Sequence, residues 1–322
     1  MMTPASSTAA RTTNRTTTGT ALNFCTLFDK NFLTRGIALH ASLARHCPAG
    51  FTLWMLCMDD ESYAMMAKLS LPNTHLLKIS EVEDSRMTAV KPGRTSVEYC
   101  WMWSSALPLY LLEKNPTLDM IAYIDADIYF YAPPDEIYRE LASDSILIIP
   151  HNYSPTEKHR ERTSGIYNVG MMIFRNDTNA LEALHWWKDR VIEWCYARYE
   201  VDSAGKGKFG DQLYLNDWPT RFKGVHVLEN RGANVASWNI ETYDRARWPL
   251  IFYHFHGLKI YMARTGRIKV YPVTVRDRRI YGPYLDALQT AYDKARGIDP
   301  SWSLGCAEPL DILRRIKQHI GL

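Results

Sequence analysis

From residue 21 the chain alternates short continuous apolar runs with longer segments whose apolar positions recur every three or four residues. The first pattern predicts strands buried on both faces, the second amphipathic helices. Residues 22–28 (LNFCTLF) predict a first strand, and Asp29-Lys30-Asn31 a turn carrying helix-capping side chains. Leu33, Ile37, Leu39, Leu43 and Ala44 then fall near helical spacing. Residues 51–58 predict a second strand, ending in Asp59-Asp60, which would cap a helix over 62–69. Residues 74–79 read as a third, shorter strand, and 99–113 as an aromatic-rich helix broken by Asn115-Pro116. Ile121-Ala122-Tyr123-Ile124 is the most telling run, because it leads straight into Asp125-Ala126-Asp127. In the second half, 145–150 and 168–174 read as strands, and 180–199 as a long helix carrying Trp186, Trp187 and Trp194. A Gly/Lys loop at 205–210, either a lid or a solvated turn, precedes Asp211-Gln212. A last strand over 249–256 holds His254 and His256 and meets Gly257. Alternating strands and helices predict an α/β fold with a mainly parallel sheet, whose ligands gather at the C-terminal strand ends.

Asp125 and Asp127 stand at one of those ends. If the backbone stays extended, both carboxylates project to the same side. Two such charges at the mouth of a buried strand repel each other and need a cation or a donor-rich partner. Mg²⁺ or Mn²⁺, which also holds phosphate oxygens, meets that need. The plainer alternative is that the pair marks the turn after the strand.

Composition narrows the field. The 322 residues, 46% hydrophobic and 23% charged, are those of an ordinary globular protein able to bury a large core. The net charge of +3 is too small to imply nucleic acid. The basic residues are concentrated late: 259–322 carries 12 Lys/Arg against 6 Asp/Glu. Six scattered cysteines without metal-ligand spacing predict reduced thiols. No apolar run nears the roughly 18–20 residues of a membrane span, and no signal-peptide core is present, so a cytoplasmic location is expected. Residues 1–20, rich in Thr, Ser and Ala, predict a disordered leader; 21–260 form the main domain and 261–322 a basic extension. Within the extension Leu310, Leu313, Ile316 and Ile320 make an apolar helical stripe beside Arg314, Arg315 and Lys317. That helix would either dock on the main domain or lie on an anionic membrane surface.

Asp125-x-Asp127, Asn168-x-Gly170, Asp211-Gln212 and His254-x-x-Gly257, in that order, resemble retaining nucleotide-sugar glycosyltransferases of the glycogenin and bacterial lipooligosaccharide galactosyltransferase type. Tyr-Asn-Val-Gly at 167–170 and His-Phe-His-Gly at 254–257 look closer still to bacterial glycosyltransferases of lipopolysaccharide and surface-polysaccharide loci. The resemblance spans about residues 21–260 and implies a GT-A fold, a Rossmann-type mixed sheet flanked by helices. It implies that Asp125, Asp127 and His254 hold Mn²⁺ (or Mg²⁺) against the donor diphosphate, with His256 as rival ligand or phosphate contact. Thr26, Phe28, Asn31 and Phe32 match the seat of the base and ribose, although an ordinary strand-to-helix turn would look the same. Asn168 and Gly170 would shape the sugar pocket, or simply open a strand. Asp211 and Gln212 match donor-sugar contacts, Gln212 in a positioning role, and Asp211 could also cap a helix. Gly257 and Lys259 fall near the diphosphate.

Two departures stand out. No Arg occurs in Trp101-Met102-Trp103-Ser104-Ser105, where the glycogenin type carries one that reaches the donor. Lys259 also lies one residue early, with Ile260-Tyr261 in place of Pro-Trp. The implied function is metal-dependent transfer from a nucleotide diphosphate donor, a UDP-sugar by preference, to a surface-glycan or lipid-linked acceptor with retention. The alternatives are a non-catalytic scaffold that binds sugar nucleotide or glycan, and a nucleotidyltransferase making sugar nucleotides. The latter would want a Gly-rich loop after the first strand, which 28–35 lacks.

Overall fold

The computed structural model describes residues 21–263, 265–271, 277–303 and 305–306. The leader at 1–20 and the apolar and basic stripe at 310–320 therefore lie outside the described residues.

Strands β1 (Leu22–Phe28), β2 (Phe51–Cys57) and β3 (Thr74–Lys78) pair in parallel, and β4 (Met120–Ile124) joins the other side of β1, also in parallel. The chain then leaves this sheet for β5 (Ile128–Phe130) and returns as β6 (Ile146–Pro150) and β7 (Tyr167–Arg175). β7 runs antiparallel to both β4 and β6. After a small hairpin of β8 (Glu200–Val201) and β9 (Gly207–Lys208), β10 (Val225–Val227) adds to β6 in parallel. The result is a seven-stranded mixed sheet in the order β10-β6-β7-β4-β1-β2-β3. The direction of strand succession reverses between β1 and β4, so a ligand crevice opens at their C-terminal ends.

Alternation along each strand feeds two cores. Phe24 and Phe28 of β1, with Ala122 and Ile124 of β4, face the helices Leu33–His46 and Arg278–Ile298. Cys25, Leu27, Ile121 and Tyr123 face the helices Ser96–Lys114 and Thr178–Glu193. Local capping fixes the joints. Asp29 accepts from the backbone N–H of Asn31 (2.9 Å) and Phe32 (3.1 Å), turning the chain out of β1. Asp59 caps the helix Asp60–Leu69 through Ser62 (2.7 Å) and also takes the N–H of Lys30 (3.0 Å), tying the two crossovers together. Thr95 and Glu98 form a reciprocal capping box.

A three-stranded sheet completes the frame. β11 (Val235–Ala236) pairs in parallel with β12 (Phe252–His254), which runs antiparallel to β5. The strand expected over 249–256 is thus only three residues long, because its partner β5 has no more to offer. The helix expected over 180–199 stops at Glu193. Tertiary contacts pull the rest away: Glu98 accepts from Ala197 N (2.8 Å), and the Arg94 guanidinium lies 3.9 Å over the Tyr196 ring. The boundary expected at 260 falls inside β13 (Lys259–Met262), which pairs with β14 (Ile268–Tyr271). Helix Arg278–Ile298 then buries Tyr284, Leu288 and Ala291 in the first core, so this part of the tail belongs to the same domain. No helix among the described residues is long and apolar enough to cross a membrane.

Candidate active site

The two sheets meet at the Asp125-Ala126-Asp127 link. Asp125 N still bonds Gly170 O of β7 (2.8 Å), but Ile128 N bonds Asp125 O (3.1 Å), so the backbone turns here. This corrects the expectation of an extended strand with both carboxylates on one face. They converge for another reason: antiparallel pairing sets His254 opposite Ile128 and brings its ring against the turn. His254 Nε2 lies 3.2 Å from Asp127 Oδ1 and 3.6 Å from Asp125 Oδ2. Asp125 Oδ1 accepts from the Tyr123 hydroxyl (2.8 Å). The ligand atoms of Asp127, His254 and His256 all lie within 4.8 Å of one another, His256 being the exposed member.

This set suits a hard divalent ion. The His254 side chain is 2% exposed, its Nδ1 is held by Asn168 Oδ1 (3.2 Å), and its Nε2 is buried without a hydrogen-bond partner. A buried ring nitrogen aimed at carboxylates needs either a proton or a metal between them. The titration shifts agree. Burial alone would push the Asp127 carboxyl up, yet His254 beside it wins and holds it down to about 2. Burial would push His254 down, but Asp127 and then Asp125 raise it. Asp125 is raised, by burial first, with Asp127 adding to the effect and His254 opposing it. Asp127 and His254 thus form a buried ion pair, with Asp125 beside it.

A cleft of about 210 Å³ opens over this cluster. It brings together Asp125, Asn168, Gly170, Asp211, Gln212, His254 and His256 from the sequence-derived set. Asn168 and Gly170 lie inside β7, not in a turn before it. Gly170 has a steric reason: a Cβ there would sit 2.6 Å from both Asn168 Oδ1 and His254 Nδ1. Asp211 does not cap a helix; the short 3₁₀ helix Leu213–Asp217 starts after Gln212 with no side-chain cap. Instead the Asp211 carboxylate accepts from Ser104 Oγ (2.7 Å), and its carbonyl accepts from Trp187 Nε1 (2.8 Å). Burial pushes the Asp211 carboxyl up to about 7, against the Ser104 hydrogen bond. Gln212 is pinned through Nε2 to Ser164 O (2.6 Å). Trp101, Tyr153, Phe209 and Trp238 supply aromatic walls. The 205–210 stretch ends the turn of the β8–β9 hairpin and contains β9, the turn being closed by Asp202 accepting from Ala204 N (3.0 Å) and Lys206 N (2.9 Å).

The remaining expected contacts lie off this cleft. Thr26 and Phe28 are in the core, the Phe28 ring filling the space a Cβ at Gly36 would need, so it offers no face to a base. Asn31 and Phe32 are exposed at the end of β1. Gly257 takes the left-handed turn after β12 (φ +70°), and Lys259 is exposed on β13. Arg35 joins these two regions: it donates to Asn31 O (3.2 Å) and Leu258 O (3.0 Å) and stacks 4.2 Å over Phe32. Sequence reasoning missed Arg35, Ser104, Tyr123, His151 and Trp238. Tyr123, two residues before Asp125 and so on the same strand face, carried a readable signal, and Ser104 lies in the 101–105 segment singled out for donor contacts.

No protein-family model matches the chain. It is 30% identical over 296 residues to the uncharacterized protein YfnD of Bacillus subtilis (strain 168), covering 88% of this chain and 94% of the relative. It is 31% identical over 254 residues to YfnF of the same organism, covering 74% and 82%. Among solved structures, galactosyltransferase LgtC in complex with donor and acceptor sugar analogs superposes with a TM-score of 0.52 at 14% identity, covering 84% of this chain and 96% of that one. The apo bifunctional glycosyltransferase WbbM gives 0.52 at 13% identity, covering 85% and 51%. At these identities the shared property is the fold, the GT-A fold.

Proposed function

The chain belongs to the family of Bacillus subtilis YfnD and YfnF, and we propose that it is a metal-dependent glycosyltransferase using a nucleotide diphosphate sugar, a UDP-sugar by preference. The observation that carries this reading is the buried Nε2 of His254, set 3.2 Å from Asp127 and 3.6 Å from Asp125 at the switch point of a GT-A sheet. Asp127 and His254 would hold Mn²⁺ or Mg²⁺, with Asp125 and His256 adjacent. When bound, the metal supplies positive charge to a departing nucleoside diphosphate.

The rest falls to this chain's own side chains. Asp211, kept in place by Ser104, offers a buried acceptor to sugar hydroxyls at the cleft floor. Gln212 is a poor nucleophile, so its role is to position the sugar. Trp101, Tyr153, Phe209 and Trp238 give apolar faces for a pyranose ring and exclude water around it. A surface-glycan or lipid-linked acceptor, reached from the cytoplasm and with retention at the transferred carbon, is the reading the resemblance supports.

Calorimetry with UDP, GDP, CDP and dTDP, each with and without Mn²⁺, tests the proposal. Metal-dependent binding of one nucleotide is expected. No binding of any of them would contradict it and favour the scaffold reading.

A further inference from the structure

One wall of the cleft is carried by residues 153–164 and braced near both ends. Ser154 N donates to Trp238 O (2.9 Å), and Ser164 O accepts from Gln212 Nε2 (2.6 Å). Between these anchors the chain winds through the short helices Lys158–Arg160 and Glu161–Ser164. Tyr153, Arg160 and Ser164 of this wall line the same cleft as Asp125, His254 and His256. Among the described residues that line it, Arg160 is the sole Lys or Arg, so it brings the cleft a positive charge independent of pH.

Arg160 is held in place without being used up. Its guanidinium carbon lies 5.6 Å from the centre of the Tyr153 ring, and Nη1 meets Glu157 Oε2 at 3.2 Å. Among the described residues, Glu157 is the only hydrogen-bond partner of that guanidinium. The two side chains are 39% and 38% exposed, so water competes for the pair and an incoming anion can displace Glu157.

A charge count shows what such a cation serves. Asp125 and Asp127, both ionised around a divalent ion, already cancel its positive charge. A nucleoside diphosphate entering beside them brings further negative charge. When the bond between the sugar carbon and the phosphate oxygen breaks, its electron pair stays on that oxygen and adds one negative charge more. The acids and the ion have nothing left to offset it. Arg160 faces the same cleft with a planar fork of N–H groups that matches phosphate oxygens.

We propose that Arg160 is a binding residue for the donor's diphosphate, exchanging Glu157 for phosphate oxygens when the nucleotide enters. This rests on the nucleotide-sugar reading above.

The test is calorimetry on wild type, Arg160→Gln, Arg160→Lys and Glu157→Gln in low-salt buffer. Each is titrated with Mn²⁺ alone, then at saturating Mn²⁺ with UDP, GDP, CDP and dTDP. Arg160→Gln is expected to bind Mn²⁺ as wild type does, but the preferred nucleotide about 10–100-fold more weakly. Arg160→Lys keeps the charge and loses the fork, so its affinity should fall between the two. Glu157→Gln frees the guanidinium and should bind the nucleotide more tightly than wild type. Unchanged nucleotide affinity in Arg160→Gln would overturn the inference and leave the glycosyltransferase reading standing. Loss of Mn²⁺ binding in that variant would also overturn it, since the residue would then shape the metal site. If Arg160→Gln does not fold, Glu157→Gln decides, and equal or weaker nucleotide binding there would overturn the exchange. A wild type that binds none of the four nucleotides would sink both readings together.

Discussion

Gly170 and His254 are fitted to each other: a Cβ on residue 170 would sit 2.6 Å from His254 Nδ1 and 2.7 Å from its Cε1. The Asn-Val-Gly sequence thus serves a purpose that strand formation alone does not require. Asn168 supplies the amide and Gly170 the space into which the ring leans. Gly170→Ala is expected to push the ring from Asp127, weakening Mn²⁺ binding at least ~10-fold. The overpacking should cost about 1–3 kcal/mol of stability. Urea denaturation and Mn²⁺ calorimetry on the variant check both numbers. Full affinity in the alanine variant would show that the ring position is not critical.

Asp211 predicts a pH signature. Its carboxyl rises from an ordinary 3.8 to about 7 in the folded chain, chiefly through burial. The folded state therefore binds more protons than the unfolded one between those values, so stability is lost as pH rises through that window and levels off above it. Asp211→Asn removes the titration but keeps the shape. Relative to wild type, the variant should gain stability between pH 4 and pH 8 by about 4 kcal/mol. Chemical denaturation at the two pH values measures this. An unchanged gap would mean that Asp211 ionises freely in the cleft floor.

Arg35 predicts a local effect. Its guanidinium clamps the backbone at Asn31 and Leu258, linking the end of β1 to the loop after His254. Arg35→Met keeps the apolar stem and removes both bonds, at an expected cost of about 2–3 kcal/mol. Amide exchange should quicken around Leu258 while that of β2 stays unchanged. Equal protection of Leu258 in the variant would show the clamp to be dispensable.

What could be read in the sequence was what neighbouring residues decide. The apolar runs of β1, β2 and β4 were readable because burial on both faces demands them. The joints were readable because Asp59 acts on the next turn of its own chain and Asn115 on the turn before it. The hidden part depends on partners far apart in sequence. The turn at Asp125-Ala126-Asp127 exists because β5 leaves for a second sheet, where it pairs with a strand that ends at His254. Nothing near residue 127 announces that. The helix end at Glu193 is set by Arg94 and Glu98, about a hundred residues earlier. His151 looked like any loop residue, since its ring meets Asn168 and Trp238 only in the fold. Phe28 misled for the opposite reason: an aromatic at a strand end suits a base, but Gly36 gives its ring a place in the core.

The central claim is that Asp127 and His254 jointly hold a divalent ion at the mouth of the GT-A sheet. The most direct measurement is anomalous diffraction at the manganese edge from crystals grown with Mn²⁺ and UDP, for wild type and Asp127→Ala. The account predicts one strong peak within bonding distance of His254 Nε2 and an Asp127 oxygen, absent in the variant. A well-ordered wild-type site with no peak there, or a peak that persists in Asp127→Ala, would contradict it.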